Sequence, residues 1–408
     1  MISVAEAEAL VMQHCVLQPA ELCPLTEATG RVLREDLIAD RDFPPFNRIT
    51  MDGIALRYAA WDEGLRRFEL TAVEAAGMPQ TKLDDEHAAI EVMTGAVLPE
   101  GCDTVICVED VSIETEGSRK FAVARESGAK KKFQFVHLQG SDRKAGDVLA
   151  RQGAMMSAAE IAVAASVGKS PVLVSRVPRV AVVTTGDELA EVNAVPQPHE
   201  IRRTNGYAIH SLLSACRIPA TLFHVRDNED ELRLKFSELL AAFDVLIISG
   251  GVSMGKKDYV PEMLTQVGVK KIFHGVKQRP GKPMWFGQST EGKTVFALPG
   301  NPVSVMLCAV RYAVPWLLKS TGFETSAPLL ARLVSDVCFA SPLTYFPPVN
   351  ISFGSDAVIS ATPYESNTSG DFAGLLACDG FLEIPESQPV FSAGAVFPLW
   401  LFRPLFSS

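Results

Sequence analysis

The stretch Asp244-Val-Leu-Ile-Ile-Ser-Gly-Gly-Val-Ser-Met-Gly-Lys-Lys-Asp-Tyr259 decides the architecture of the chain. Val245 to Ile248 is a continuous apolar run, the pattern of a strand buried on both faces. Gly250, Gly251 and Gly255 follow at close spacing, with Ser249 and Ser253 beside them. Glycine has no Cβ, so the backbone can turn sharply there and bring N–H groups close to an anion. Asp258 comes next, a carboxylate suited to a metal ion or to proton transfer. Taken alone, the glycines are also what a tight strand-to-helix turn requires, so the functional reading rests on other stretches.

Outward from that strand, residues 179–320 alternate strand and helix. Strands are expected at Val180–Thr184, Thr221–Val225, Val269–Phe273 and Thr294–Leu298. Helices are expected from Thr204 or Asn205 (as cap) to about Cys216, over Asn228–Phe243, near Val260–Gln266, and from Pro302 to Lys319. Such alternation predicts a three-layer α/β domain with a mostly parallel sheet. Upstream, Ser3 and Glu6 form a capping box for a helix over 3–15. Short strands separated by polar turns at Phe68–Val73, Ala89–Met93, Thr104–Val108 and Phe121–Val123 predict an inserted β-domain. Downstream of Gly322, short β-like runs with little helical period predict a C-terminal β-barrel or sandwich, of which the barrel is taken as the expectation. The expected domains are residues 1–40 with 144–175, a helical and linker region; 41–143, the inserted β-domain; 176–322, the α/β domain; and 323–408, the barrel.

At 408 residues the chain exceeds what one hydrophobic core serves. Its net charge of −10 argues against general binding to nucleic acid or an anionic membrane, so an anionic ligand must be met by a local basic patch. The eight cysteines are scattered, with no C-x-x-C, and the seven histidines form no H-x-x-x-H pair. That pattern speaks against a zinc site and for free thiols in a reducing compartment. The acidic amphipathic N-terminus lacks the basic region of a signal peptide, and Pro398, Arg403 and Pro404 break the apolar tail. A cytoplasmic protein is expected.

In an open parallel sheet, ligands bind beyond the carboxyl ends of the strands. Three such ends carry distinctive sequence: Thr185-Gly-Asp-Glu188, the Ser249–Gly255 turn, and Leu298-Pro-Gly-Asn-Pro-Val-Ser304, which contains Pro299, Gly300, Asn301 and Ser304. The last two lead into helices whose first N–H groups favour an oxyanion. A fourth stretch brings Lys277, Arg279 and Lys282 around a proline-stiffened turn, with no acidic residue between Met263 and Thr290. It is the expected anion pocket, converging with Glu188 and Asp258 on one cleft. Those two carboxylates would supply hard oxygen ligands for Mg²⁺ beside the phosphates. In the inserted domain, the apolar residues Phe43, Phe46, Ile49 and Met51 crowd the Asp52-Gly53 turn, a loop packed to present Asp52. Thr94-Gly95 lies at a strand end. Composition and spacing thus point to a phosphorylated, nucleotide-like ligand with a divalent ion.

Taken together, these motifs resemble the molybdopterin molybdenumtransferase family, the molybdenum-insertion enzymes that include the E-domain of gephyrin. The resemblance spans the chain: Pro-Phe-x-x-x-x-Met-Asp-Gly at 45–53, Met-Thr-Gly-Ala-x-Leu-Pro-x-Gly at 93–101, Thr-Gly-Asp-Glu-Leu at 185–189, Gly-Gly-Val-Ser-Met-Gly-x-x-Asp-Tyr at 250–259, Arg-Pro-Gly-Lys-Pro at 279–283 and Leu-Pro-Gly-Asn-Pro-Val-Ser at 298–304. It implies a homodimer that converts adenylylated molybdopterin and molybdate to molybdenum cofactor and AMP, with Mg²⁺ or a similar divalent ion. An adenylyltransferase would be the partner that supplies substrate. The resemblance also implies catalytic roles for Glu188, Asp258, Asp52, Thr94 and Asp142, and anion holding by Arg279, Lys282 and Ser304. Departures are Asn47-Arg48-Ile49-Thr50 and Ile54 in the first loop, Ser141 before Asp142, and Arg279 for a lysine. A C-terminal domain without a basic residue over Ser341–Ile351 is another, with Ser369 or Ser366 as candidate serine. Two rival readings are the adenylyltransferase of the same α/β superfamily and a gephyrin-like scaffold.

Overall fold

The computed structural model describes residues 1–252, 258–324, 327–354, 358–365 and 368–403. Two compact units result: one from residues 1–34, 153–157 and 173 onward, the other from residues 35–152 and 158–172. Helix α1 (Val4–Gln13) opens the first unit. Its expected capping box is present, with Ser3 Oγ accepting from Glu6 N and the Glu6 carboxylate accepting from Ser3 N.

The second unit is built on β1 (Gly53–Leu56), β2 (Arg67–Glu74), β3 (Ala88–Val92), β4 (Thr104–Cys107), β5 (Val111–Glu116) and β6 (Arg119–Ala124). They form one sheet in the order β4-β1-β3-β2-β6-β5, antiparallel except for the β2/β3 pair. Alternate residues feed two cores: Ala55, Ile90 and Val105 on one face, and Ile54, Ala89 and Ile106 on the other. Helix α2 (Ala158–Ser166) belongs to the same unit.

In the first unit, β7 (Val180–Thr185), β8 (Ala220–Val225), β9 (Val245–Ser249), β10 (Val269–His274), β11 (Trp285–Ser289) and β12 (Thr294–Leu298) form a sheet in the order β8-β7-β9-β12-β11-β10. β7, β8, β9 and β12 pair in parallel, and β11 alone runs against its neighbours. That strand escaped the sequence reading: Trp-Phe-Gly-Gln-Ser shows neither strict alternation nor β-branched residues. Val182 and Ile247 face a core shared with α1 and α3 (Asn205–Ala215). Val183 and Ile248 face the opposite core, shared with α4 (Glu229–Ala242) and α5 (Val260–Gln266).

The last expected helix is a composite: α6 (Pro302–Cys308), a π turn over Ala309–Ala313, and α7 (Val314–Ser320). Pro315 has no N–H to return to the Arg311 carbonyl, and the hydrogen-bond register widens just before it. Among the described residues, Pro302–Ser320 is the one helix long and apolar enough to cross a membrane; it is 72% buried within the protein. β13 (Leu329–Leu333), β14 (Pro348–Phe353), β15 (Ile359–Pro363), β16 (Gly380–Leu382) and β17 (Val396–Leu401) close the C-terminal barrel, β13 pairing with both β15 and β17. Arg311, 3% exposed, ties this barrel to α1: Nε donates to Glu383 (2.9 Å) and Nη2 to Glu8 (2.7 Å).

Candidate active site

Beyond the carboxyl ends of β7, β9 and β12 lies a cleft of about 900 Å³. Three of its parts match the strand ends singled out above. Glu188 follows β7, Gly250 and Gly251 follow β9, and Pro299, Gly300 and Asn301 follow β12; Asp258 also lines the cleft. The glycines are required by geometry. Gly250 has φ +107°, and a Cβ there would lie 2.5 Å from the Thr185 carbonyl oxygen; at Gly251 (φ +64°) it would lie 2.7 Å from Val260. Backbone of one strand end therefore passes directly against the next. Ser253 and Gly255 lie outside the described residues, as does Ser366.

Asn205, expected as a helix cap, has another task. Thr204 occupies the cap position of α3 without a side-chain hydrogen bond, and Asn205 Nδ2 donates to Ser249 Oγ (2.9 Å) and to the Gly300 carbonyl (2.7 Å). One amide thus ties α3 to the ends of β9 and β12. On the barrel side, Asn301 Nδ2 donates to Ser369 Oγ (2.8 Å), and Gly370 and Phe372 complete that wall.

The cleft is crowded with negative charge. Asp227 lines it with Glu188 and Asp258. Burial pushes the Asp227 carboxyl above its usual range; Glu188 and Asp187 push the same way, and Asp258 adds to them. The buried Thr185 hydroxyl, with no well-formed hydrogen bond of its own, offsets this only in part. Among the described residues, no group of three or more His, Cys, Asp or Glu is arranged to hold a metal ion unaided.

The basic turn sits differently from the expectation. Pro283 lines the cleft, whereas Arg279 and Lys282 are exposed and outside its lining. Arg279 belongs to a two-residue strand paired with Thr344 and Tyr345, and its guanidinium lies 5.9 Å from the Phe339 ring. Ser304 is buried in α6, also away from the lining. The described cations that do line the cleft are Arg202 and Arg203, which the sequence reading did not single out. They lie far along the chain from the glycine turn, in a segment with no motif. Asp227 was missed for a similar reason, since Arg-Asp-Asn before a helix reads as a simple cap.

In the other unit, Asp52 and Thr94 come together. Asp52 Oδ1 accepts from Thr94 N and from Thr94 Oγ1, both at 2.7 Å. The hydroxyl first, then the backbone N–H, hold the exposed carboxyl below its ordinary value. Asp142 instead accepts from His137 Nε2 at 2.8 Å, and Arg48 donates to Nδ1 of the same ring at 3.3 Å.

Comparisons with known proteins agree along the whole chain. Residues 2–168 match the family model of the MoeA N-terminal region (domain I and II), residues 181–319 a probable molybdopterin binding domain, and residues 331–402 the MoeA C-terminal region (domain IV). A molybdopterin molybdenumtransferase of Synechocystis sp. is 40% identical over 402 residues, covering 98% of this chain and 100% of that protein. One from Staphylococcus epidermidis is 32% identical, covering 97% and 94%. Two structures of the molybdopterin biosynthesis moeA protein from Pyrococcus horikoshii superpose with TM-scores of 0.83 and 0.78, at 28% and 26% identity. They cover 99% and 98% of this chain and 100% of each of theirs.

Proposed function

The chain belongs to the molybdopterin molybdenumtransferase family, enzymes of molybdenum cofactor biosynthesis, and from that premise we propose that its strand-end cleft takes adenylylated molybdopterin and, with molybdate, yields molybdenum cofactor and AMP. The observation that carries this reading is the meeting, in one cleft, of the Gly250-Gly251 turn, the Asn301 strand end and the carboxylates Glu188 and Asp258. Backbone N–H groups at the glycine turn and at the start of α6 suit the phosphate link of the substrate. Arg279 and Lys282, exposed beside Pro283, would meet molybdate at the rim.

A divalent cation such as Mg²⁺ fits the donors present. Burial first, then the like charges of Glu188, Asp187 and Asp258, raises the Asp227 carboxyl's pKa, and a cation would relieve the second of these. Glu188 and Asp258 would hold the ion, and ligand oxygens would complete a set that the protein supplies only in part. When bound, the ion would neutralise charge on the phosphate link. The chain's own residues orient the substrate: Asn205 fixes the two strand ends, and Asn301 with Ser369 fixes the wall. Asp52 and Thr94 would act from a second copy in a homodimer, with Asp142 as a further catalytic carboxylate. We place the reaction in the cytoplasm, after an adenylyltransferase that supplies the substrate.

The test is release of AMP from adenylylated molybdopterin by purified protein in the presence of Mg²⁺. The expected result is release that depends on molybdate and is lost, by roughly a hundredfold or more, in Asp258→Ala with oligomeric state unchanged. Adenylylated pterin accumulating from molybdopterin and ATP would instead identify the adenylyltransferase activity. Undiminished turnover in Asp258→Ala would remove the assignment of this cleft.

A further inference from the structure

We infer that Arg202 is the residue that grips the phosphate of the nucleotide, from a braced excursion between β7 and α3 and not from the Arg-Pro-Gly-Lys turn. The inference rests on the proposed reading of the cleft as the nucleotide site. A phosphate entering it meets Glu188, Asp227 and Asp258, and the carboxylates repel an anion unless cations stand nearby. The described cations in the lining are Arg202 and Arg203.

The excursion is built to hold those two side chains. Leu189 and Ala190 pair in parallel with Ile201 and Arg202, and Ile201 N donates to the Glu188 carbonyl at 2.8 Å. Arg203 N donates to the Ala190 carbonyl at 3.1 Å, and the Arg203 guanidinium is ion-paired with Glu191. Arg203 is thereby committed to bracing. Arg202 is not: its Nε donates to the Val192 carbonyl at 3.0 Å, which fixes the plane of the guanidinium. Among the described residues, no hydrogen bond or ion pair engages its two terminal nitrogens. A guanidinium anchored through Nε, with its other edge presented in a cleft, is the planar fork that matches two oxygens of a phosphate. Because Ala190 and Arg202 are register partners, the backbone that carries the fork is paired with the segment just after Glu188. The two anionic groups of the reaction would then have separate cationic stations, phosphate at Arg202 and molybdate at the Arg279–Lys282 rim.

The experiment measures binding of AMP and of adenosine by titration calorimetry to the full chain and to Arg202→Gln, at low and at moderate ionic strength. Arg202 is exposed, so the variant folds, and thermal unfolding checks this. The expected result is AMP binding weakened roughly ten- to a hundredfold, with adenosine binding unchanged and a shallower dependence on salt. AMP bound by Arg202→Gln as tightly as by the unchanged chain overturns this inference and leaves the nucleotide site standing. Equal losses for AMP and adenosine overturn it too, since the residue would then serve the loop and not the phosphate. No AMP binding by the unchanged chain defeats the reading of the cleft, and this inference with it.

Discussion

The two ends of the mostly parallel sheet treat negative charge in opposite ways. At the amino end, Asp244 accepts from Arg176 Nη1 (2.7 Å), Arg179 N (2.9 Å) and Arg179 Nη2 (3.2 Å), with Lys293 Nζ at 3.6 Å. Burial works against its charge, but the hydrogen bonds from Arg176 and Arg179 prevail and hold the carboxyl far below the ordinary range. At the carboxyl end, Asp227, which follows β8, has its carboxyl pushed up by burial and then by Glu188, Asp187 and Asp258. A carboxylate closed off by its own cations secures the fold. Carboxylates crowded together in an open cleft leave a deficit of positive charge that a ligand or ion can fill.

The sharpest test of the closed end is Asp244→Asn. It keeps the shape and removes the charge that three basic side chains face. The expected loss in unfolding free energy at neutral pH is roughly 2–3 kcal/mol, measured by urea denaturation. The sign with pH follows from the depressed native value. The stabilisation is complete above the unfolded aspartate value and is lost as pH falls through the native one. The gap between the two proteins should therefore close on acidification. A variant as stable as the natural chain would break the contrast, because Asp244 would then be as dispensable as a surface charge.

The open end predicts the reverse sign. With its pKa raised, Asp227 costs stability once ionised, and that cost appears as pH rises from the unfolded value through the native one. Asp227→Asn should raise Tm by a few degrees at neutral pH in metal-free buffer and leave it nearly unchanged in acid. Added Mg²⁺ should stabilise the natural chain more than the variant. A lower Tm for the variant in metal-free neutral buffer would show that Asp227 is structurally satisfied after all.

What the sequence disclosed follows the same division. Features fixed by neighbours along the chain were legible. The apolar run Val245–Ile248 is fully buried, the Ser3–Glu6 box caps its helix, and Leu232, Phe236 and Leu239 line one buried face. Glu188 and Asp258 were legible because each belongs to a motif at a strand end. The antiparallel β11 was not, since Gly287 is there to accommodate the Trp285 ring, where a Cβ would meet the indole at 2.3 Å. Neither were Asn205, Arg202 and Asp227. Asn205 and Asp227 meet partners tens of residues away, Arg202 is held by carbonyl and strand pairing within an irregular excursion, and neither arrangement leaves a periodic trace. Charge in the sequence pointed to the Arg279–Lys282 turn as the anion pocket because composition counts charges without knowing which way they face.

The smallest effect belongs to a third kind of carboxylate, and it tests where the contrast ends. Asp52 is exposed and is held by neutral donors alone, the hydroxyl and backbone N–H of Thr94. Thr94→Ala removes the hydroxyl, the larger of the two influences, and leaves the backbone bond. The carboxyl should move part of the way back up toward its ordinary value, as followed by NMR titration, with Tm hardly changed. Linkage gives the sign: the contribution exists above the unfolded value and fades as pH falls through the native one, so only the neutral and alkaline range can show it. If Asp52 serves the reaction as a charged group, the acidic limb of the pH–activity profile should shift to higher pH by the same interval. A limb that stays in place while the titration moves would separate Asp52 from the chemistry and leave Thr94 as a support for the turn.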